Sequence, residues 1–212
     1  MAKSELELPS SGIPIFGNIA SYRSWRKKAF NEGKSVGYVA TMGALHEGHL
    51  SLGMSIIRSQ QKKAYPCQVR RSLIENDLTA VSIFVNPAQF APTEDLETYP
   101  RTLPEDVKLL ECVQVALPSQ VSGETTPLKR TVSAIFSPSA SEMYPSGIAQ
   151  DVAMQKGTFV EVEGYGHQME GASRPTFFRG VATVVTKLFN VIQVCIPYFK
   201  PDSCIYPRFL AR

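Results

Sequence analysis

Residues 36–52, VGYVATMGALHEGHLSL, decide the fold. The apolar run of Val36, Tyr38 and Val39 comes directly before Thr41-Met42-Gly43, which is typical of an inner strand that enters a tight turn. We expect a helix to open after this turn. A buried strand that leads through a glycine turn into a helix is a junction at which α/β proteins bind phosphate groups.

Glycines and histidines give this junction the character of an anion site. Gly43 and Gly48 remove side chains where backbone and ligand must come close, and the first N–H groups of a helix attract negative charge. His46 and His49 lie three residues apart, so on a helix they share one face and can donate to the same phosphate oxygens. The sequence predicts that an ATP phosphate chain binds here, and that the two imidazoles neutralise charge as pyrophosphate leaves.

The histidine pair also has plainer interpretations. Two histidines three residues apart can be ordinary surface or core residues. A zinc site is disfavoured, because the helical metalloprotease motif H-E-x-x-H spaces its histidines four apart and this chain has H-E-G-H. His167 is the only other histidine, and no cysteine pair has the spacing of a metal clip. We therefore predict no metal ion held by side chains.

A second apolar run, residues 80–84, leads directly into Val85-Asn86-Pro87-Ala88-Gln89-Phe90. In open α/β sheets, ligands bind beyond the carboxyl ends of the strands. We therefore expect the amides of Asn86 and Gln89 to hydrogen-bond hydroxyl and carboxylate groups of a substrate. Taken alone, an Asn-Pro pair is also a common turn.

Five segments resemble, in this order, the pantothenate synthetase (pantoate–β-alanine ligase) family: TMGALHEGHLSL, VSIFVNPAQF, EDLETYPRTLPED, EMYPSG and EGASRPTFFRGVATVVTKLFNVIQ. The resemblance covers most of residues 19–193. It implies a Rossmann-like α/β fold with a parallel sheet, as in the nucleotidyltransferase superfamily that shares H-x-G-H with class I aminoacyl-tRNA synthetases. The motif H-x-G-H alone would indicate only that superfamily.

The resemblance implies a two-step reaction. ATP adenylates the carboxylate of pantoate and releases pyrophosphate, and the amine of β-alanine then attacks the pantoyl adenylate to give pantothenate and AMP. Magnesium accompanies the ATP. Positioning and electrostatic stabilisation would supply the rate, because no covalent enzyme intermediate is needed.

The resemblance also assigns residues to roles. Gln89 corresponds to a residue that binds pantoate and β-alanine, with Asn86 beside it. His46 and His49 would be the catalytic pair in contact with phosphates, and His49 matches the position of a proton donor. The implied ATP-binding residues are Met42, Gly43, Ala44, Leu45, His46, Glu47, Gly48 and His49.

Two intervals depart from the family pattern. Residues 53–68 interrupt one continuous helix, and deleting them gives LSLVRRSLIEND, which restores the match. After Gln193 the family continues into a strand and a G-x-K-D-x-Q motif, whereas this chain reads VCIPYFKPDSCIYPRFLAR. Both Gly53-Met54-Ser55 and Val194-Cys195 can be encoded by DNA that contains GTATGT, a common intron donor sequence in compact eukaryotic genes. We infer that both intervals are translated introns; a lineage-specific loop with a divergent tail is the alternative.

The predicted organisation follows from these departures. Residues 1–193 form a Rossmann-like ATP- and pantoate-binding domain with a foreign insert at 53–68, residues 194–212 are a non-homologous tail, and the family's C-terminal lid domain is absent. We expect the sheet to lack an inner strand, which would expose the apolar face of a helix over 176–190, and the adenylate to be open to water. This exact chain is therefore predicted to be inactive and poorly soluble.

Two functional alternatives stay open. One is a non-catalytic truncated product that at most binds nucleotide or a full-length subunit. The other is a ligase of the same superfamily that acts on another carboxylic acid.

Composition limits the partners. A net charge of +3, spread over segments of mixed sign, does not favour nucleic-acid binding. The basic patch of Arg23, Arg26, Lys27 and Lys28 is interpreted as a solvated helix face.

We expect neither a signal peptide nor a membrane span. Because the cysteines also lack the spacing of a disulfide framework, we expect a reducing cytoplasm. The expected partners are the small molecules pantoate and β-alanine, and the family tends to form homodimers.

The remaining patterns predict individual elements and secondary candidates. Alternating strands and helices favour a parallel sheet with right-handed crossovers. Helices are expected over 19–32, 49–76 (with the insert bulging out), 104–111 and 176–190, and strands over 35–41, 78–84, 132–136 and 158–162. Residues 112–130 are interpreted as a surface loop.

Arg174 and Arg179 are candidates for binding a carboxylate or phosphate. Glu94, Asp95 and Glu97 are candidates for holding magnesium through water, although a solvated acidic loop is the more ordinary interpretation of these three residues.

Overall fold

Apolar strands separated by amphipathic helices build a parallel sheet, as the alternation along the sequence predicts. The computed structural model describes residues 8–45, 68–90, 96–118, 127–149, 151–164 and 170–198. In chain order, its elements are β1 (Ile15–Phe16), α1 (Ile19–Asn31), β2 (Val36–Thr41), α2 (Gln68–Glu75), β3 (Leu78–Ile83), a 3-10 helix (Pro87–Gln89), α3 (Leu103–Cys112), β4 (Gln114–Leu117), β5 (Leu128–Thr131), β6 (Ala134–Phe136), α4 (Ala140–Met143), a second 3-10 helix (Val152–Met154), α5 (Glu170–Ser173), α6 (Phe177–Ile192) and β7 (Ile196–Tyr198).

The main sheet has the order β1-β6-β3-β2-β7, and its neighbouring strands are parallel. The register of β2 against β3 runs from Val36 opposite Leu78 to Thr41 opposite Ile83. The two strands therefore end side by side. The turn after β2 and the loop after β3 leave the sheet at this common end, which we call the carboxyl edge.

Each face of the sheet is covered by helices. Successive residues of a strand point to opposite faces, so the row of Tyr38 and Ala80 packs with α1 and α6, whereas the row of Val39 and Val81 packs with α2 and α3. These four side chains are buried. Burial on both faces explains why apolar residues occur on both faces of β2 and β3 and do not alternate with exposed polar ones.

The structure confirms most of the predicted elements within one or two residues at the ends that it describes. Residues 49–67 of the helix predicted over 49–76, which include most of the insert, lie outside the described residues. The predictions for residues 112–130 and 158–162 are wrong. Residues 112–130 are not simply a surface loop, because β4 lies within them and pairs with β5, which ends at Thr131, as an antiparallel ribbon in which Val115 is buried. Residues 158–162 do not form a strand. There, the backbone N–H of Val160 donates to the side-chain oxygen of Thr183 on α6 at 2.9 Å, so this segment binds a helix and not a neighbouring strand.

The segment after Gln193 also differs from expectation. The structure places β7 parallel to β2, with the N–H of Cys195 donating to the carbonyl of Val36 at 3.1 Å. The expected loss of a strand at this position is therefore wrong, because β2 has backbone groups that the incoming chain can pair. The apolar stripe of α6, including Val181 and Leu188, is buried in the core and not exposed.

The basic face of α1 is only partly solvated. Arg26 is 5% exposed, and its Nε and Nη2 atoms donate to the carbonyl oxygen of Gln193 at 3.2 and 3.1 Å. Arg23 remains exposed but reaches the carbonyl of Asn190 at 3.3 Å. Both cations lie at the C-terminus of α6, where the last carbonyl groups of a helix attract positive charge. The interpretation of this patch as a solvated face is thus wrong for Arg26.

Candidate functional site

The carboxyl edge brings together the two segments that the sequence singles out. The Nε2 atom of Gln89, in the 3-10 helix after β3, lies 3.0 Å from the Sδ atom of Met42, the first residue after β2. Gln89 is half-buried and Asn86 is 1% exposed. Met42 and Gln89 are therefore neighbours in space, and their role in lining one ligand site stays a prediction.

The turn after β2 has a conformation that its sequence makes possible. Gly43 has φ +83° and Ala44 has φ +50°, so both lie in the left-handed region, which glycine adopts without cost and alanine adopts only under constraint. A side chain at Gly43 would also meet Asp106 Oδ2 at 3.0 Å and Ile83 Cγ2 at 3.2 Å. The turn must therefore be held in place by its surroundings.

Asp106 supplies that constraint. Its Oδ1 atom accepts from the backbone N–H of Leu45 at 2.7 Å, and its Oδ2 atom accepts from that of Ala44 at 3.1 Å. Asp106 lies in the first turn of α3, where the helix dipole favours a carboxylate, and the hydroxyl of Thr102 donates to it at 3.3 Å. A buried carboxylate thus fixes the backbone directly before His46.

The sequence does not reveal this role of Asp106. The segment TLPED shows only acidic residues in the first turn of a helix, which is a common pattern. The partners of Asp106 are 61 and 62 residues away along the chain. Only the pairing of β2 with β3 and the packing of α3 bring them together.

Asn86 uses every hydrogen-bonding position of its side chain within the protein. Its Nδ2 donates to the Gly180 carbonyl at 3.2 Å and to Gln89 Oε1 at 3.1 Å, and its Oδ1 accepts from the Ala88 N–H at 3.3 Å and from the Tyr144 hydroxyl at 2.8 Å. An amide side chain offers two donor and two acceptor positions. These contacts favour Asn86 as a residue that positions Gln89, and a direct contact between Asn86 and a substrate stays a prediction.

Gly180 lets α6 approach the Asn86 loop very closely. A Cβ atom built at Gly180 would lie 2.1 Å from the Ala88 carbonyl oxygen and 2.8 Å from the Gln89 nitrogen. Such separations are not possible for real atoms, so only glycine fits. The glycine of the segment FFRGVATVV therefore sets the distance between α6 and the loop that carries Gln89.

Two tyrosines border the same edge. Burial raises the pKa of Tyr144 above its ordinary value, so its hydroxyl stays protonated and can donate. The pKa of Tyr99 is raised by burial and by the negative charge of Asp106. Both groups are therefore neutral in the physiological range.

Arg179 has partners within the protein. Its Nε lies 2.8 Å from Glu161 Oε2, its guanidinium also contacts Gln155, and it stacks 4.4 Å from the ring centroid of Phe159. The guanidinium of Arg174 lies 5.5 Å from the ring centroid of Phe177. A ligand role for either arginine stays a prediction.

Several predicted site residues fall outside the described chain. These are His46, Glu47, Gly48 and His49, together with the acidic residues Glu94 and Asp95. Leu45 is described, and its side chain packs in the core below the turn. In the part of the chain that the structure covers, no group of three His, Cys, Asp or Glu side chains could hold a metal ion. The helices described here include none long and apolar enough to cross a membrane.

Comparison with known proteins gives a family match over most of the chain. The family described as Pantoate-beta-alanine ligase matches residues 14–200. The chain belongs to this family. The match extends past residue 193 and ends within the segment that the sequence interpretation assigns to a non-homologous tail.

Relatives from distant organisms support the same membership. Pantoate--beta-alanine ligase of Saccharomyces cerevisiae is 44% identical over 190 residues, which cover 88% of this chain and 51% of the yeast protein. Pantothenate synthetase of Vibrio cholerae is 42% identical over 187 residues, 88% of this chain and 50% of the relative. The chain thus spans about half the length of the curated relatives that it matches.

Solved structures of the family share the fold. Pantothenate synthetase from Thermus thermophilus superimposes with a TM-score of 0.61 at 36% identity, over 88% of this chain and 51% of that structure. Pantoate-beta-alanine ligase from Francisella tularensis gives the same TM-score of 0.61 at 30% identity, over 86% and 54%. The latter structure is a complex with beta-gamma ATP and beta-alanine. The expected α/β fold of the nucleotidyltransferase type is therefore confirmed.

Replacing Asp106 by asparagine tests the anchor of the turn. One oxygen would become an NH2 group that faces a backbone N–H, so two donors would oppose each other in a buried site. We expect the free energy of unfolding to fall by about 1–3 kcal/mol in urea titrations. Glu105→Gln, an exposed neighbour with the same loss of charge, is the control and should change it by less than about 0.5 kcal/mol. Equal effects of the two substitutions would contradict the assignment.

Replacing Gly180 by alanine tests the close approach of α6. The added methyl group must displace the Ala88 carbonyl, so we expect a loss of about 1–3 kcal/mol despite the higher helix propensity of alanine. Gly17→Ala is the control, because a Cβ there meets its nearest atoms at 3.6 and 3.9 Å. Its free energy of unfolding should change by less than about 1 kcal/mol. A Gly180→Ala protein as stable as the wild type would show that the helix and the loop are not tightly packed.

Proposed function

We propose that this chain supplies the ATP- and pantoate-binding half of an ATP-dependent ligase that joins pantoate to β-alanine. Membership in the pantoate–β-alanine ligase family supports the reaction class. The observation that carries the proposal is the position of Gln89, whose amide lies 3.0 Å from Met42 at the start of the turn leading to the H-x-G-H segment. The amide that is proposed to bind the substrate and the turn that is proposed to bind phosphate thereby lie at the same edge of the sheet.

The chemistry has two displacement steps. A carboxylate oxygen of pantoate forms a bond to the α-phosphorus of ATP, and the bond from this phosphorus to the pyrophosphate oxygen breaks. The nitrogen of β-alanine then forms a bond to the acyl carbon, the bond to the AMP oxygen breaks, and the amine loses a proton. The first step needs the carboxylate in line with the bond from the α-phosphorus to pyrophosphate, and the second needs the amine next to the acyl carbon, so orientation contributes a large part of the rate.

Gln89 is suited to orient the acid. Its Oε1 atom accepts from Asn86, so its NH2 group is left to donate towards the turn after β2. A thioether sulfur such as that of Met42 is a weak acceptor, and a carboxylate or hydroxyl oxygen of a substrate would form a stronger bond. We assign Gln89 to the binding of pantoate on this basis.

The turn after β2 would present the phosphate-binding segment. Asp106 already accepts the N–H groups of Ala44 and Leu45, so these amides hold the turn in shape. The residues that follow, His46 and His49, are proposed to donate to the phosphates, with His49 as the proton donor. Their geometry lies outside the described residues.

Magnesium is proposed to arrive with ATP and to neutralise charge on its phosphates. Asp106 lies at this edge, but both of its oxygens accept backbone N–H groups, so we do not assign it as a metal ligand. A homodimer, the cytoplasmic setting and the division into a domain over 1–193, an insert at 53–68 and a tail at 194–212 remain parts of the proposal.

Binding of pantoate to the purified chain tests the proposal. We expect isothermal titration with pantoate to show saturable binding, which Gln89→Ala weakens about tenfold through the loss of a hydrogen bond to a charged group. Gln114→Ala removes an exposed amide on β4 and is the control, which should bind pantoate like the wild type. Failure of the wild type to bind pantoate, or equal binding by the Gln89→Ala protein, would overturn the assignment.

Pyrophosphate release separates catalysis from binding. Release from ATP that depends on pantoate would establish the adenylation step in this chain and refute its predicted inactivity. Binding without release would favour the non-catalytic alternative. If the chain binds a different hydroxy acid more tightly than it binds pantoate, a ligase with another substrate is favoured.

A further inference from the structure

The orientation of the Gln89 amide follows from backbone groups that cannot reverse their roles. The Gly180 carbonyl can only accept a hydrogen bond, so the atom of Asn86 that faces it must be the Nδ2 donor. The Ala88 N–H can only donate, so the atom that faces it must be Oδ1. The amide of Asn86 therefore has one permitted orientation.

The orientation of the Asn86 amide also fixes the orientation of the Gln89 amide. The second proton of Asn86 Nδ2 points to the side chain of Gln89 at 3.1 Å, and it requires an acceptor there. The Oε1 atom of Gln89 must occupy that position, which leaves its Nε2 atom towards Met42 at 3.0 Å. The Gln89 side chain consequently presents a donor and not an acceptor towards the turn after β2.

Tyr144 completes the chain of contacts. Its hydroxyl donates to Asn86 Oδ1 at 2.8 Å, and the tyrosine is 4% exposed. Because the hydroxyl stays protonated, it holds the acceptor side of Asn86 and so keeps the donor side directed at Gly180 and Gln89. The ammonium group of Lys187 lies 5.1 Å from the centroid of the Tyr144 ring, within the range of a cation–π contact.

We propose that Tyr144 is a positioning residue that acts through Asn86 to hold the Gln89 amide with its NH2 group towards the turn after β2, so that the site selects acceptor oxygens of the acid substrate. This inference rests on the proposed function for the identity of the acid. The chain of contacts from Tyr144 to Gln89 stands apart from it, because it belongs to the free protein.

Tyr144→Phe is the direct test, because it removes the hydroxyl and keeps the ring. The matched control is Tyr22→Phe: Tyr22 is fully buried, and its hydroxyl has no hydrogen-bond partner among the described residues. The first readout is the pair of side-chain NH2 signals of Asn86 and Gln89 in nitrogen-15 NMR spectra of the full chain. We expect Tyr144→Phe to shift both pairs and Tyr22→Phe to leave them in place.

The second readout is the affinity for pantoate in a double-mutant cycle. We expect Tyr144→Phe to weaken binding about three- to tenfold, in line with one hydrogen bond. In a Gln89→Ala background the same substitution should change affinity less than about twofold, because a residue that acts through Gln89 has no effect once Gln89 is absent. A residue that only stabilises the fold would weaken binding equally in both backgrounds.

The outcomes separate the two proposals. Unmoved NH2 signals in the Tyr144→Phe protein, or equal weakening with and without Gln89, would overturn the role of Tyr144. If the wild type does not bind pantoate, the proposed function fails. The NMR signals alone then show whether Tyr144 positions the amides of Asn86 and Gln89. If Tyr144→Phe does not fold, 3-fluorotyrosine placed at position 144 serves instead. It keeps the ring and donates more strongly, so the NH2 signals of Asn86 should shift, and unchanged signals would overturn the proposal.

Discussion

The geometry of the carboxyl edge depends on one constraint: all four hydrogen-bonding positions of the Asn86 side chain are filled. A buried amide with an unpaired donor or acceptor is costly, whereas one with all four positions filled is rigid. The partners of Asn86 come from the 3-10 helix after β3, from α6 and from the end of α4. One side chain thus joins the loop that carries Gln89 to two helices, and Gly180 brings α6 close enough for this contact to form.

Asp106 has the corresponding role for the neighbouring segment. The turn after β2 contains two residues with positive φ, and a carboxylate from α3 holds it through two backbone N–H groups. Because β2 and β3 are parallel and in register, these two anchored segments lie side by side. Position in the sheet and buried polar contacts together explain how a loop and a turn acquire the fixed geometry that the proposed activation of an acid would require.

Local patterns were sufficient to predict the strands β2 and β3, the helices α1 and α6 and the placement of Met42 and Gln89 at one edge. Such features follow from hydrophobic period and turn residues within a few positions of each other. The roles of Asp106, Tyr144 and Gly180 could not be predicted in this way. The Tyr144 hydroxyl is 58 residues and the Gly180 carbonyl 94 residues from Asn86, so only the folded chain shows that they meet. The same reason explains Arg26, whose sequence neighbours suggest a solvated face although it contacts Gln193, 167 residues away.

The stability of the Asn86→Asp protein shows whether the four hydrogen bonds of Asn86 hold the carboxyl edge together. Aspartate has the shape of asparagine, but it would place an oxygen and a buried charge against the Gly180 carbonyl and the Gln89 Oε1 atom. We expect the free energy of unfolding, measured in urea at neutral pH, to fall by about 3 kcal/mol or more. A change within about 0.5 kcal/mol, the range of an ordinary surface substitution, would contradict it.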